Sequence, residues 1–247
     1  MITKTVKLFE GWDASLLHAY LDGGRGGMLV DNEAHVTAAL IDVGDFCFLA
    51  GEPSESLLAK IKGCKLLIPR NAEWERLIES FYGSRAKKFT RYAIKKEPNG
   101  FDKVKLRSYV EALDVRYELR LFDYDAFHQA LGTEWSYDLC SQFDDYEDYK
   151  RRGLGVAILH QGKLVAGASP YATYPDGIEI EIDTKPEYRQ KGLATVCGAA
   201  LILECLQRGL HPYWDAHDLR SLALAEKLGY HLDYPYTAYE LTKEEMP

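Results

Sequence analysis

Apolar positions in the first hundred residues change period several times, as expected of short strands and helices in alternation. Ser15 to Leu21 predicts a helix, and His35 to Asp42 and Phe46 to Ala50 predict strands around Val43-Gly44-Asp45. Ser54 to Ile61 reads as a short helix and is followed by the apolar run Leu66-Leu67-Ile68. Asn71 offers a cap for a helix running to Phe81-Tyr82, with Gly83 as its stop. Phe89 to Lys96 is again strand-like. The cluster Gly23-Gly24-Arg25-Gly26-Gly27 fits neither G-x-G-x-x-G nor a phosphate-binding loop, so it reads as a flexible loop.

Glu97-Pro98-Asn99-Gly100 interrupts the pattern. Leu106, Tyr109, Val110 and Leu113 then fall at i, i+3, i+4 and i+7, one apolar face of a short helix. The expected division is at that helix: an amino-terminal α/β domain over 1–110, to which no role is assigned, and a second domain over 111–247.

The second half is patterned more regularly. Tyr117 to Leu121 predicts a strand, and Asp125 to Ala130 a helix. Gly155 to His160 and Leu164 to Tyr174 predict two strands joined by a tight turn at Gln161-Gly162. Pro170 implies a bulge or an edge position in the second of them. Pro175-Asp176-Gly177 turns into Ile178-Glu179-Ile180-Glu181-Ile182-Asp183-Thr184, which alternates strictly. The three strands make an antiparallel meander. Gly192 to Arg208 follows as a long apolar helix stopped by Gly209, then Tyr213-Trp214 as a short strand. Asp218 caps a helix from Leu219 to Leu228 that Gly229 ends.

Composition narrows the class. A length of 247 residues suits one large domain or two small ones, at roughly 100–200 residues each. With 47% hydrophobic and 28% charged residues, a disordered or collagen-like chain is excluded. The net charge of −8 is uneven: +3 over 1–110 (17 Lys and Arg against 14 Asp and Glu) and −11 over 111–247 (13 against 24). Such a second half repels nucleic acid and favours a cationic partner, although an acidic surface that serves only solubility fits equally. Cys47, Cys64, Cys140, Cys197 and Cys205 form an odd, scattered set without C-x-x-C, which argues against a disulfide framework and a zinc site. Met1 to Lys7 lacks the apolar core of a signal peptide. The longest uncharged apolar stretch, Gly192 to Leu203, is shorter than the ~20 residues of a membrane span. A reduced, cytoplasmic protein is expected.

Ile178 to Ala194 carries the chemistry: a strand, a Pro-containing turn, then Arg189-Gln190-Lys191-Gly192-Leu193-Ala194 opening a helix. The first turn of a helix leaves N–H groups unpaired and concentrates partial positive charge there. Gly192 and Ala194 keep side chains away, Arg189 and Lys191 add charge, and a diphosphate can approach the backbone. The turn fits the R/Q-x-x-G-x-G/A motif of the GNAT superfamily of acyl-CoA-dependent N-acyltransferases. Ile182-x-Thr184-x-Pro186-x-Tyr188-Arg189 fits the strand leading into it. Asp218-x-x-Ser221 through Ala225-Glu226-Lys227-Leu228-Gly229-Tyr230 is similar to the second signature, N-x-x-A…Y-E-K-x-G-F. Over about residues 115 to 242 the chain therefore resembles that superfamily, and within it the zwittermicin A resistance-like acetyltransferase branch. The amino-terminal domain does not enter the resemblance.

The resemblance implies a mixed, mostly antiparallel sheet flanked by helices, preceded by the smaller α/β amino-terminal domain. It also implies an N-acetyltransferase with acetyl-CoA as cosubstrate. The backbone of Ile182, Asp183 and Thr184 would hold the pantetheine arm, and Arg189, Gln190, Lys191, Gly192, Leu193, Ala194 and Thr195 the diphosphate, with Asp218 and Ser221 completing the cofactor set. The thioester would lie near Ile182 and Trp214. An alkyl ammonium, with a pKa of about 10, must lose a proton before it attacks. Glu181 is the first candidate base, and Glu179, on the same strand face, the second. Alternating Ile and Glu also describes an ordinary half-exposed strand, and for Glu179 that reading weighs equally. Asp215, just after Trp214, is a third candidate; His217 reads as surface.

The family's usual proton donor, a Tyr, is replaced here by Ala225. Water, Tyr230, Tyr234, Tyr236 or Tyr239 are the alternatives, or unassisted departure of the thiolate. Asp138, Asp144, Asp145, Glu147 and Asp148 would form either a solvated helix face or an acidic lip attracting a polyamine or amino-polyol. Cys197, on the apolar helix, reads as core. The expected acceptor is the primary amine of a small cationic molecule, with no nucleic acid or membrane partner and homo-oligomerisation left open. Two rivals stand beside it. One is a non-catalytic acyl-CoA-binding module. The other is a protein N-acetyltransferase docking through the basic segment Arg85 to Arg107.

Overall fold

The computed structural model describes residues 5–21, 25–63, 66–97 and 100–242. Expectations resting on Met1 to Lys4, Gly23, Gly24, Cys64, Pro98 and Asn99 fall outside the described residues. The chain divides into two compact units, residues 1–91 with 235–247, and residues 92–234.

In the first unit, α1 (Ser15–Leu21), β1 (Gly27–Val30), β2 (Ala38–Val43), β3 (Phe46–Gly51), α2 (Glu55–Leu58), β4 (Leu66–Pro69) and α3 (Ala72–Tyr82) follow in order, and β5 (Ala86–Ile94) leads out of it. Strands β1, β2 and β3 are antiparallel neighbours, and β3 pairs with β4 in parallel. The Asn71 side chain accepts from the N–H groups of Glu73 and Trp74, which is why α3 starts there. Trp74 and Ile78 from its apolar face are fully buried with Leu40, Leu49 and Leu67. Ser54 to Ile61 contains only the four helical residues of α2. Cys47 is disulfide-bonded, which corrects the expectation of a chain without disulfides. Parity of the whole cysteine count says nothing about any one pair.

The second unit holds α4 (Lys103–Glu111), β6 (Tyr117–Leu121), α5 (Tyr124–Leu131), α6 (Tyr146–Arg152), β7 (Val156–His160), β8 (Lys163–Tyr174), β9 (Gly177–Thr184), α7 (Leu193–Gln207), β10 (His211–Tyr213), β11 (Asp215–Ala216) and α8 (Leu219–Leu228). The last strand, β12 (Leu232–Leu241), begins in this unit and ends in the first, where Tyr239 pairs with Leu67. The division thus lies earlier than residue 110, and the carboxyl terminus belongs with the first unit. The reason is packing: Leu106 of α4 is buried in the core around α7, with Tyr109, Val110 and Leu113 against it.

The second unit's five-stranded sheet has the order β10-β9-β8-β7-β6. The expected meander is β7, β8 and β9, antiparallel throughout. A bulge interrupts its last pairing where Pro170 faces Ile180 and Ala172 faces Glu179. Ile178 and Ile180 are buried against α7 on one side of the sheet. Alternation then puts Glu179, Glu181 and Asp183 on the opposite side. Among the described residues, no helix is long and apolar enough to cross a membrane.

Candidate active site

Strand β9 loses a neighbour partway along. Parallel β10 pairs with it only over Gly177 to Glu179, the last pair being Tyr213 with Glu179. Beyond that point β9 continues to Thr184 with β8 on one side alone. The chain leaves β10 through Trp214, whose indole donates to Ser221 Oγ at 3.1 Å, and enters β11, where Asp215 pairs with Ala93 of β5. An edge of β9 is left over Ile180 to Thr184. Thr184 Oγ1 is buried there without a hydrogen-bond partner among the described residues.

After β9, a turn of 3-10 helix at Pro186–Tyr188 leads into the Arg189 to Ala194 segment. Gln190 (φ +61°) and Gly192 (φ +79°) both take left-handed conformations. That alternation turns successive N–H groups to one side, a backbone concavity suited to an anion. The first intrahelical bond of α7 runs from Val196 N–H to Gly192 C=O, so the N–H groups of Leu193, Ala194 and Thr195 have no acceptor within the helix. A Cβ built on Gly192 would meet nothing within 4 Å. Arg189 Nε donates to the Thr184 carbonyl at 3.2 Å and ties the loop to the strand. Lys227, from α8, brings a further cation: its Nζ lies 3.2 Å from Thr195 Oγ1. The sequence contained Lys227 inside the second signature but gave no sign that it reaches the first turn of α7. These features fit a diphosphate.

Two other residues of the expected cofactor set have structural work. Asp218 caps α8 through the N–H groups of Arg220 and Ser221, both at 2.9 Å, and pairs with the Arg220 guanidinium. Ser221 anchors Trp214.

The carboxylates on β9 differ in setting. Glu179 is only 4% exposed, and the Tyr174 hydroxyl lies 3.5 Å from its Oε2. Burial, and secondarily the Glu179 charge, push the Tyr174 phenol well above its usual range. Glu181 is half-buried, faces Ser169 across β8, and lies past the last β10 pair. Asp183, two residues on, has its carboxyl raised to about 6 by burial, with the Asp138 charge acting in the same direction and Arg189 against it. Because the folded pKa exceeds the unfolded value of 3.8, this group stabilises the fold below about pH 4. That contribution disappears as pH rises through about 6, a change on the order of 3 kcal/mol. Asp183→Asn should flatten the corresponding part of the stability curve, measured by urea melts across that window; an unchanged slope would contradict the assignment.

Of the acidic run, Asp138 acts electrostatically on Asp183. Asp148 is buried and paired with Arg151 and with Arg152, the latter at 2.6 Å, while Asp145 caps α6. These two hold the helix rather than forming a lip. Ala225 is fully buried in the core. Tyr230 donates to the Pro212 carbonyl at 2.8 Å, and burial pushes its phenol well up, so its proton is already committed. Tyr236 and Tyr239 lie in the first unit, the latter donating to Glu79 at 2.6 Å. Cys197 is buried, as its helix position implied.

A family model described as GNAT acetyltransferase matches residues 6–239. It takes in the amino-terminal unit, which corrects the expectation that this part lies outside the resemblance. A crystal structure of a GCN5-related N-acetyltransferase-like protein from Streptococcus suis is 44% identical, with a TM-score of 0.93 over 98% of each chain. An uncharacterized N-acetyltransferase of Bacillus subtilis (strain 168) is 25% identical over 78% of this chain and 71% of its own length. A GCN5-related N-acetyltransferase from Kribbella flavida shares the fold alone, with a TM-score of 0.58 at 12% identity, over 93% of this chain and 94% of its own.

Proposed function

We propose that this chain, which belongs to the GNAT acetyltransferase family, transfers the acetyl group of acetyl-CoA to the primary amine of a small cationic acceptor by direct attack. The observation that carries the reading is the course of β9. It parts from β10 after Glu179, exposes an edge over Ile180 to Thr184, and runs straight into the left-handed loop at Gln190 and Gly192. The edge would take the pantetheine arm as an added strand, the loop and the start of α7 the diphosphate. Arg189, Lys191 and Lys227 supply cations, and Thr184 Oγ1 a hydrogen-bonding group awaiting a partner. The motifs of residues 178–230 support a place near the zwittermicin A resistance-like branch.

Glu181 takes the proton of the acceptor ammonium, directly or through water. The freed amine forms the C–N bond at the acetyl carbonyl carbon; the C–S bond then breaks, the thiolate leaves, and the nitrogen gives up its second proton to water. Glu179, buried within the paired end of β9, is the less accessible of the two carboxylates. No tyrosine among the four considered is given the donor's part. The thiolate takes its proton from water, which is tolerable because a thiol pKa of about 8.5 makes it a competent leaving group near neutrality. Acidic groups at Glu181, Asp183 and Asp138 favour a cationic acceptor.

The test is a free-thiol assay with acetyl-CoA and an amine panel graded by charge. Diamines and amino-polyols should turn over at least about tenfold faster, in kcat/KM, than zwitterionic amines of the same size and no net charge, since one ion pair at an effective dielectric near 20 is worth on the order of 1.4 kcal/mol or more. Equal rates would remove the cationic acceptor from the proposal; no thiol release with any amine would remove the reaction.

A further inference from the structure

Beside the proposed diphosphate loop, two motif residues, Tyr188 and Lys191, form a group with side chains from outside the motif. Tyr188 closes the 3-10 turn immediately before Arg189, and its backbone N–H donates to the Lys185 carbonyl at 2.8 Å. The Tyr188 hydroxyl lies 2.9 Å from His160 Nδ1, at the end of β7. The rings of Tyr117, His160 and Tyr188 pack together, with centroids 5.4 to 6.4 Å apart. On the ring of Tyr188 rests the Lys191 ammonium, 4.5 Å from the centroid. The neighbouring β7–β8 turn is itself fastened, since Gln129 accepts from Leu164 N–H and donates to the Gly162 carbonyl.

An exposed lysine on a loop ordinarily samples many rotamers, and a ligand that uses it must restrict them. A ring face beneath the ammonium selects a subset of those rotamers before the ligand arrives. The ring can do this only if it is fixed, and the hydrogen bond to His160 together with the packing of Tyr117 fixes it.

We propose that Tyr188 is a positioning residue for acetyl-CoA: braced by His160, it holds the Lys191 ammonium beside the Gln190–Gly192 concavity, where the cofactor's phosphates are received. The inference rests on the proposed placement of the diphosphate at that loop. Tyr188 touches no reacting atom in this account; it acts through Lys191.

The experiment is a double-mutant cycle on CoA affinity, read by calorimetry with CoA itself. Tyr188→Leu should raise the Kd about three- to fivefold, the effect of removing an exposed cation–π contact. In a Lys191→Ala background the same change should alter Kd by less than about 1.5-fold, because its object has gone. Tyr188→Phe, which keeps the ring, should recover at least half of the lost affinity on a logarithmic scale. Thermal melts of each variant report whether the loop region still folds. An equal loss from Tyr188→Leu in both backgrounds would overturn the proposal, because it would mean that Tyr188 supports the loop independently of Lys191. No loss in either would overturn it as well. Failure of the unsubstituted chain to bind CoA would overturn the diphosphate placement too, whereas normal binding with no coupling overturns only the role of Tyr188.

Discussion

Gly192→Asp is expected to abolish acetyl-CoA binding, raising the Kd by at least about 100-fold. Gly192 has a φ of +79°, and the space a Cβ would enter is open, with no atom within 4 Å. In the proposed complex that space belongs to the diphosphate. A carboxylate there would face like charge at about 4–5 Å, which costs roughly 3–4 kcal/mol at an effective dielectric of 20 and exceeds two orders of magnitude in affinity. The left-handed backbone adds a folding cost of roughly 1–2 kcal/mol for any residue with a Cβ, less for Asn and Asp, which tolerate that region best. Gly192→Asn is therefore the control: similar shape, same backbone demand, no charge. Calorimetry should find the Asn variant at least about tenfold tighter than the Asp variant, with both melting cooperatively. Unchanged affinity in Gly192→Asp would place the diphosphate elsewhere.

Glu181→Gln should lower kcat by about 10²- to 10⁴-fold, the usual loss on removing a general base, and leave CoA affinity within about twofold. The residual activity should climb with pH toward the acceptor's own pKa of about 10, because free amine then no longer depends on the enzyme for its formation. Glu179→Gln should behave differently. Glu179 is almost wholly buried beside Tyr174, within the stretch still paired with β10, so its main effect should fall on stability. A loss in kcat of less than about threefold for Glu181→Gln would move the base to another group.

Sequence periodicity disclosed most of the second unit because its elements are local. The meander from Val156 to Thr184 announces itself through strict alternation and through turn residues at Gln161-Gly162 and Asp176-Gly177. Caps at Asn71 and Asp218 were equally readable, since a side chain two or three residues from its N–H partners is a short-range fact. The bulge at Pro170 followed from the missing N–H of proline.

Features made by distant residues were not readable in this way. β1 was hidden in a glycine-rich stretch whose Gly27 to Val30 pair with Ala39 to Asp42 only once the hairpin exists. β12 contains Pro235, a residue rare inside strands, and its far end pairs with β4, more than 160 residues earlier. That return explains why the carboxyl terminus groups with the first unit, which a division expected at residue 110 from local pattern alone did not include. α4 was readable as a helix with one apolar face, but not that the core around α7 fills that face.

The site divides along the same line. The turn from Arg189 into the helix at Leu193 was legible, because helix N-termini and glycine carry their physics locally. The carboxylates of β9 were legible as a set, with Glu181 placed first; where β10 stops, a property of the strand pair, was not. Asp215 stood near the site in sequence, but the chain turns at Trp214 and carries it into β11. Lys227 reaches Thr195 from 32 positions away, and His160 reaches Tyr188 from 28, neither of which periodicity can register.

The most direct test of the acetyl-transfer account is a mass measurement on the acceptor. Acetyl-CoA is incubated with the enzyme and an equimolar mixture of cationic and zwitterionic primary amines, and every amine is weighed before and after. The account predicts that a cationic amine gains one acetyl group, in amount equal to the free CoA thiol released. Thiol release with no acetylated amine, or acetylation spread evenly over cationic and zwitterionic members, would contradict it.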